Sequence, residues 1–479
     1  IFFGALGEPA AVENGKTITL SGAGFDKGTF VISYFTQMGT ATQALSLTGT
    51  AKLQVGPETT FNANVAFTAP ELLFNGAAYN GTAVLAKTGA TDDMSLGNNF
   101  FNSTTTIINS GAGFLRMATE ASDDFNGNIT FVKNGLGDIH PVYDSSSTFA
   151  GNITVNSSTP ILFGAGAGVA EFDGANAQTI NKIGTANPIF NRMWINKTGN
   201  DVTLNTEVHI STTLTLTQQY IISSAANLLI LEDTAICNGA SNNSFVSGPV
   251  RKIGKAAFIF PVGKNGFYHP AAIAAPSLTT DHFTAEYFDN GVSSAYSVTS
   301  KDPSINNLSG CEYWTLDRTN GSSNVMVSLG WNTNSCGVSS LQGMKVAHWD
   351  GSMWKDQGNS GVTGNISEGV VTSATAAISF DVFTLGSSGS LNSVNENIKS
   401  SLICSIFPNP YNGVNTVINV QGEKEVQLVI KDINGKDVFS DNMFLSESST
   451  SALNALSSGI YFVIVTSGEN TCSNKLIVQ

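Results

Sequence analysis

A phenylalanine recurs at nearly constant spacing in the first half of the chain. The hexamers FNSTTT at Phe101, FNGNIT at Phe125, FAGNIT at Phe149 and FDGANA at Phe172 follow one another 24, 24 and 23 residues apart. A period of this length marks a stacked array, in which each unit buries its apolar side only against its neighbours. The array reads as a right-handed parallel β-helix, with Phe stacked on Phe along its core. Gly127, Gly151 and Gly174 are expected at an equivalent corner, where a side chain does not fit or φ is positive. Asn128 and Asn152 are expected to form a short ladder. A pair of β-sandwiches with coincidental spacing is the competing architecture.

The period loosens on both sides. Downstream, strands are expected at Arg192–Asn196, Val202–Leu204, Leu214–Leu216 and Leu228–Leu231, with shorter coils. Upstream, Thr17–Leu20, Phe30–Tyr34, Lys52–Val55 and Val84–Ala86 read as less regular rungs. Residues 1–236 are therefore assigned to the repeat. This stretch resembles, in texture, the β-strand repeat regions of large Bacteroidetes surface proteins.

Composition supports an all-β chain. Charged residues make up only 12%, glycine occurs 48 times, and Thr, Ile and Val dominate long stretches. Apolar content of 41% excludes disorder, and 479 residues allow about three domains. A net charge of −14 excludes nucleic acid and anionic membrane as partners, since both require a basic face. No apolar run reaches the roughly eighteen residues of a transmembrane segment. The chain begins at Ile1, not Met, and a longer upstream part is expected to precede it. Of the five cysteines, Cys311 and Cys336 bracket one segment and Cys404 and Cys472 another. Two local disulfides with Cys237 left over would fit an oxidising, exported setting, although spacing does not set the connectivity.

The texture changes near Ala240. Short strands are expected around Gly248–Lys252, Phe258–Gly263, Phe283–Phe288, Glu312–Trp314, Val325–Leu329, Met344–Trp349 and Ala377–Phe383, spaced as in a β-sandwich over residues 240–388. Trp349 to Trp354 reads as a tight hairpin around an Asp-Gly turn. The segment resembles a recurrent module found in surface proteins of the same phylum. A Ser/Asn/Gly-rich stretch follows and is assigned as a linker, residues 389–402, exposed to any maturation protease.

Residues 403–479 form a last small β-domain. Phe407-Pro408-Asn409-Pro410 sets an extended entry. Val426 to Asp432 alternates at a strand period, and Asn434-Gly435 predicts a type I′ hairpin turn with two positive φ values. Gly459-Ile460-Tyr461 opens a run of β-formers, and Lys475-Leu476-Ile477-Val478 closes the chain. This ordered series resembles the type A C-terminal sorting domain of the type IX secretion system. The resemblance implies an address and not a chemistry: Pro408, Asn409, Pro410, Gly435, Lys436, Gly459, Tyr461 and Lys475 to Val478 serve recognition or folding. It further implies an outer-membrane β-barrel shuttle and a translocon as partners, export across the outer membrane, and usually removal of the domain afterwards. The Cys404/Cys472 pair is an unusual addition that would join first strand to last.

Catalytic signals are weak. His140, His209, His269, His282 and His348 show no metal-protease spacing, and no nucleotide or hydrolase fingerprint occurs. No row of acids appears at the repeat spacing. Asp92-Asp93 and Asp123-Asp124, with Asn126 and Asn128, offer oxygen ligands for calcium but match no calcium loop. Trp314, Trp331, Trp349 and Trp354 suit either a glycan platform or a core. Asp233-Thr234-Ala235 resembles a short bacterial O-glycosylation sequence. The expectation is a non-enzymatic, exported adhesin or structural stalk without cofactor. The alternative is a polysaccharide-binding or polysaccharide-degrading β-helix.

Overall fold

In the computed structural model the backbone is described for residues 2–3, 10–12, 26–336, 338, 340–388, 403–407, 417–421, 425–444, 456–467 and 470–478. Side chains are described from residue 26 on, except those of 294, 403–407, 417–421, 425–426, 442–444, 467 and 470–472. The chain divides into two compact units, residues 1–392 and 393–479. It is all-β; the one helical element among the described residues is the 3-10 turn Val292–Ser294.

The larger unit opens as a parallel β-solenoid of three-strand coils. One sheet stacks ten strands, from Gln43–Ser46 to Val246–Ser247. A second runs beside it from Phe35–Gln37 through Phe100–Phe101, Asp124–Phe125 and Ser147–Phe149 to Ile236–Asn238. A third comes in pieces, through Lys52–Val55, Glu71–Phe74, Leu115–Arg116 and Ile139–His140 to Leu229–Leu231 and Val250–Ile253. Parallel pairing thus continues past residue 236 as far as Val250–Ile253. Strands such as Ile129–Lys133 and Ile153–Ser157 alternate buried and half-buried residues, because a strand sends successive side chains to opposite faces. The shorter coils downstream contain two long strands, Ile189–Asn196 and Val208–Gln218. These turn the corner between two sheets through a register shift beside Phe190. Thr17–Leu20 lies outside the described residues.

The phenylalanine column is present. Phe101, Phe125 and Phe149 stack with centroids 4.9 and 4.8 Å apart, each pair 7° from parallel. Tyr79 and Phe61 extend the column upstream at 5.0 and 5.3 Å, and Phe172 ends it, tilted 32° at 6.0 Å. The ring spacing equals the ~4.8 Å between neighbouring strands, so stacking demands no distortion of the coils. Gly127 and Gly151 mark a corner where coils touch. A Cβ on Gly127 would stand 2.3 Å from the Ser103 carbonyl, and one on Gly151 2.2 Å from the Gly127 oxygen. Neither has a positive φ, so close approach is the reason for glycine. The asparagine ladder takes another form than expected. Asn152 N donates to Asn128 Oδ1 at 2.9 Å. The amide-to-amide ladder lies elsewhere: Asn126 donates to Asn102, Asn102 to Asn80 and Asn80 to Asn62, each at 2.8 Å.

Val250–Ile253 pairs parallel with Leu229–Leu231 on one side and antiparallel with His282–Phe288 on the other. From there an antiparallel sheet continues through Tyr313–Asn320, Asp381–Ser387, Met344–Trp349 and Trp354–Asp356. A second antiparallel sheet joins Phe258–Phe260, Ala271–Ile273, Val327–Trp331, Gly369–Thr372 and Gly361–Gly364. One hydrophobic core runs unbroken from Phe30 in the solenoid to Leu385 in the sandwich.

The C-terminal unit contains a four-stranded antiparallel sheet in the order Asp437–Phe444, Glu425–Asp432, Gly459–Ser467, Asn470–Val478. A separate pair joins Ile403–Phe407 and Val417–Gln421. Leu428, Ile430, Val463, Val465 and Leu476 fill its buried side.

Candidate functional site

The motif residues of the C-terminal unit hold its turns and edges. Asp432 organises the hairpin: its Oδ1 accepts from Asn434 N at 2.9 Å and from Lys436 N at 3.0 Å. Gly435 N donates to Asp432 O at 3.0 Å. Gly435 has φ +80, whereas Asn434 is not left-handed. The loop is therefore a three-residue connection ending in a left-handed glycine, which corrects the expected type I′ turn. The Asp432 carboxylate explains the difference, since it favours an ordinary turn by bonding the backbone ahead of it. Tyr461 donates its hydroxyl to Ser457 O at 2.9 Å, with its ring 3.5 Å from the place a Gly459 Cβ would take. Leu476 and Val478 are buried, while Lys475 and Ile477 lie on the opposite face. That face pairs Ile460 with Ile477 and Phe462 with Lys475. Ile460 and Phe462 are 42% and 46% exposed, so the sheet presents an apolar, lysine-edged surface. Pro408, Asn409, Pro410 and the side chains of Cys404 and Cys472 lie outside the described residues.

The solenoid keeps much of its charge inside. Lys87, Lys133, Lys197 and Lys252 are buried at corners, where their ammonium groups bind turn oxygens. Lys197 donates to Gly174 O at 2.7 Å, Asn176 O at 3.0 Å and Gln178 Oε1. Burial pushes the Lys197 and Lys252 ammoniums down to about 8. Lys87 lies 3.5 Å from Asp93, both with fully buried side chains. Burial raises Asp93 to about 6 and Asp123 to about 7.

These placements separate the oxygen clusters considered for calcium. Asp93 and Asp123 point inward, whereas Asp92 accepts from Phe114 N at 3.0 Å and Asp124 from the Thr148 hydroxyl at 3.1 Å. Neighbours on a strand face opposite ways, so neither Asp-Asp pair converges. Among the described residues no group of three or more His, Cys, Asp or Glu is arranged to hold a metal ion.

The histidines are scattered. His269 is buried, with Nδ1 3.1 Å from Glu312 Oε2 and its ring stacked on Tyr287 at 4.3 Å. His348 is buried against Phe383, and burial lowers it to about 4. Burial also lowers His140 and His282. His209 Nδ1 lies 2.7 Å from Glu232, a partly exposed pair that lowers the Glu232 carboxyl. The four tryptophans form no platform. Trp314 and Trp354 are completely buried and Trp331 is 3% exposed. Trp349 packs on Trp354 at 5.5 Å across the hairpin Met344–Trp349/Trp354–Asp356. Cys311 and Cys336 form a disulfide, and Cys237 is free, its thiol pushed up to about 12 by burial.

One feature escaped the sequence reading. On the outward side of the second sheet, register places Phe100, Asp124, Thr148, Glu171 and Trp194 in one column across successive coils. Two carboxylates share the column, with Thr148 between them. Glu171 also accepts from Asn196 Nδ2 at 2.9 Å. The signal was the same 23–24 residue step, applied one residue before each phenylalanine.

Residues 405–479 match the family model of the secretion system C-terminal sorting domain. No curated protein and no solved structure matches the chain. No helix among the described residues is long and apolar enough to cross a membrane. The hairpin, the Tyr461 corner and the closing strand lie inside the matched stretch, and with it they make the chain a type IX secretion substrate, exported across the outer membrane by machinery that engages its C-terminal sorting domain.

Proposed function

We propose that the passenger ahead of the sorting domain is a non-catalytic surface adhesin with the solenoid as its stalk. The observation that carries this reading is the stacked aromatic column continuous with a single core. Ten coils at ~4.8 Å spacing extend about 43 Å along the stack; rings join the coils from Phe61 to Phe172, an amide ladder those from Asn62 to Asn126, and buried ammoniums tie four corners. Such an array resists bending and holds its far end away from its base. The partner proposed for the sorting domain is an outer-membrane β-barrel shuttle, docked on the face that carries Phe462.

Two measurements test these readings. Beads coated with the full chain are expected to attach to cell or matrix surfaces while releasing no new reducing ends from polysaccharides. Failure to attach to any surface refutes the adhesin. A photo-crosslinking residue at position 462 is expected to capture an outer-membrane barrel during export; capture of periplasmic proteins alone refutes that docking face.

The column of Asp124 and Glu171 beside Trp194 favours a second reading, a polysaccharide-processing surface. Release of reducing ends that Glu171→Gln abolishes would establish it in place of the first.

A further inference from the structure

A cleft of about 450 Å³ opens where the last solenoid corner meets the second sheet of the sandwich. Its apolar part comes from the half-buried Tyr268, Pro270 and Val370, with the nearly buried Trp331 behind them, and its polar part from Asn242, Asn332 and Glu368. The walls are set without a ligand. Asn242 Oδ1 accepts from Tyr268 N at 2.8 Å, and Asn332 Nδ2 donates to Tyr268 O at 3.0 Å, so two amides clamp that tyrosine from both sides. Trp331 Nε1 donates to Asn365 O at 3.0 Å. The indole lies against Gly369, where a Cβ would come within 2.3 Å of the ring. Preorganised walls lower the ordering cost of binding, and the volume falls within the usual range of small-molecule sites.

We propose that this cleft binds a neutral sugar ring. No lysine or arginine lines it, and its one charged group is the exposed carboxylate of Glu368. An anionic ligand would meet that charge uncompensated. A flat apolar ligand would displace water from the exposed Asn242 and Glu368 without replacing its hydrogen bonds. A pyranose satisfies both parts: its C–H face lies on the half-buried Tyr268, Pro270 and Val370, and its hydroxyls donate to Glu368 and accept from the Asn242 amide. The proposal gives the adhesin a ligand class and rests on that reading only for the biological surface involved.

The test is calorimetric titration of the full chain with cellobiose, mannose and N-acetylglucosamine, and with galacturonate and chondroitin sulfate as anionic probes. Two exposed positions supply variants outside the core, Glu368→Ala and Thr363→Arg, the latter filling the mouth. At least one neutral sugar is expected to bind with one-to-one stoichiometry. Each variant should weaken that binding about tenfold or more while the urea midpoint stays unchanged. Binding of anionic probes alone, binding indifferent to Thr363→Arg, or no binding of any neutral probe overturns the proposal. Attachment of beads that survives Thr363→Arg removes the cleft and leaves the adhesin. Sugar binding without attachment does the reverse.

Discussion

Asp123→Asn tests the physical account of the solenoid interior most directly. The parent carboxylate is fully buried. Its Oδ1 accepts from Asn99 N at 3.0 Å and Asn99 Nδ2 at 2.7 Å, and its Oδ2 has no hydrogen-bond partner. Desolvation raises it from 3.8 to about 7. In the unfolded chain it titrates near 3.9. Between about pH 4 and pH 7 the folded chain therefore binds the extra proton, and stability falls as pH rises through that window, then levels off. From pH 5 to pH 8 the loss is about two pKa steps, or about 3 kcal/mol. An asparagine keeps the acceptor for Asn99 and cannot ionise. The stability of the variant relative to the parent should therefore rise by about 3 kcal/mol between pH 5 and pH 8. Asp93 titrates in both proteins, so its contribution cancels in the difference. Urea unfolding at the two pH values, followed by near-ultraviolet circular dichroism at unchanged m, gives the answer. A difference that stays constant with pH, or shrinks as pH rises, would show that Asp123 is not charged in a desolvated site.

Phe125→Ala should cost about 5 kcal/mol, the upper end for such truncations, because two stacked partners are lost with the buried ring. Phe172→Ala, at the tilted end of the column, should cost nearer 3 kcal/mol by the same urea measurement. Lys197→Met leaves three turn oxygens without a donor and should destabilise by about 3 kcal/mol, with faster hydrogen exchange in residues 174–178. Opening the Cys311–Cys336 bond, which spans 25 residues, should lower stability by about 3.5 kcal/mol, read as a drop in urea midpoint on reduction. Ending the chain after Ile253 should leave an open parallel edge, and sedimentation should then show concentration-dependent association that the longer chain lacks.

The sequence exposed the phenylalanine column because a ring of that size stacks only in strict register, and the period survives in four consecutive units. It hid most other strands. Many are only two or three residues long, such as Phe100–Phe101 and Leu115–Arg116, too short for a period to show. Hydropathy also misleads at the corners. Lys133 and Asn109 point inward while Val132 and Ile108 are half-exposed. The polar ends bond turn oxygens that burial would otherwise leave unsatisfied. The same inversion applies to Asp93 and Asp123, which look like surface acids and are interior ones. The sorting domain was legible because its signals are turn residues in a fixed order. Its hairpin type was not, because Asp432 acts on the turn through a side-chain bond that the Asn-Gly pair does not reveal. The Asp124–Glu171 column and the cleft at Tyr268 depend on register and tertiary contact, so neither leaves a local pattern.

A parallel stack has a difficulty at each end: its last coil offers the same edge to a stranger that it offers to the next coil. This chain meets that difficulty at residue 250 by changing strand direction. Val250–Ile253 takes a parallel neighbour on one side and an antiparallel one on the other. The next strand, His282–Phe288, belongs to a sandwich whose far edge is the short strand Trp354–Asp356. A second incoming coil would find no parallel ladder to extend. The sandwich therefore does more than follow the solenoid, because it ends the array and shares its core. For a chain exported across the outer membrane, an end that cannot propagate keeps the last coil of one copy from pairing with another. That need accounts for a sandwich fused to the last coil through a shared strand.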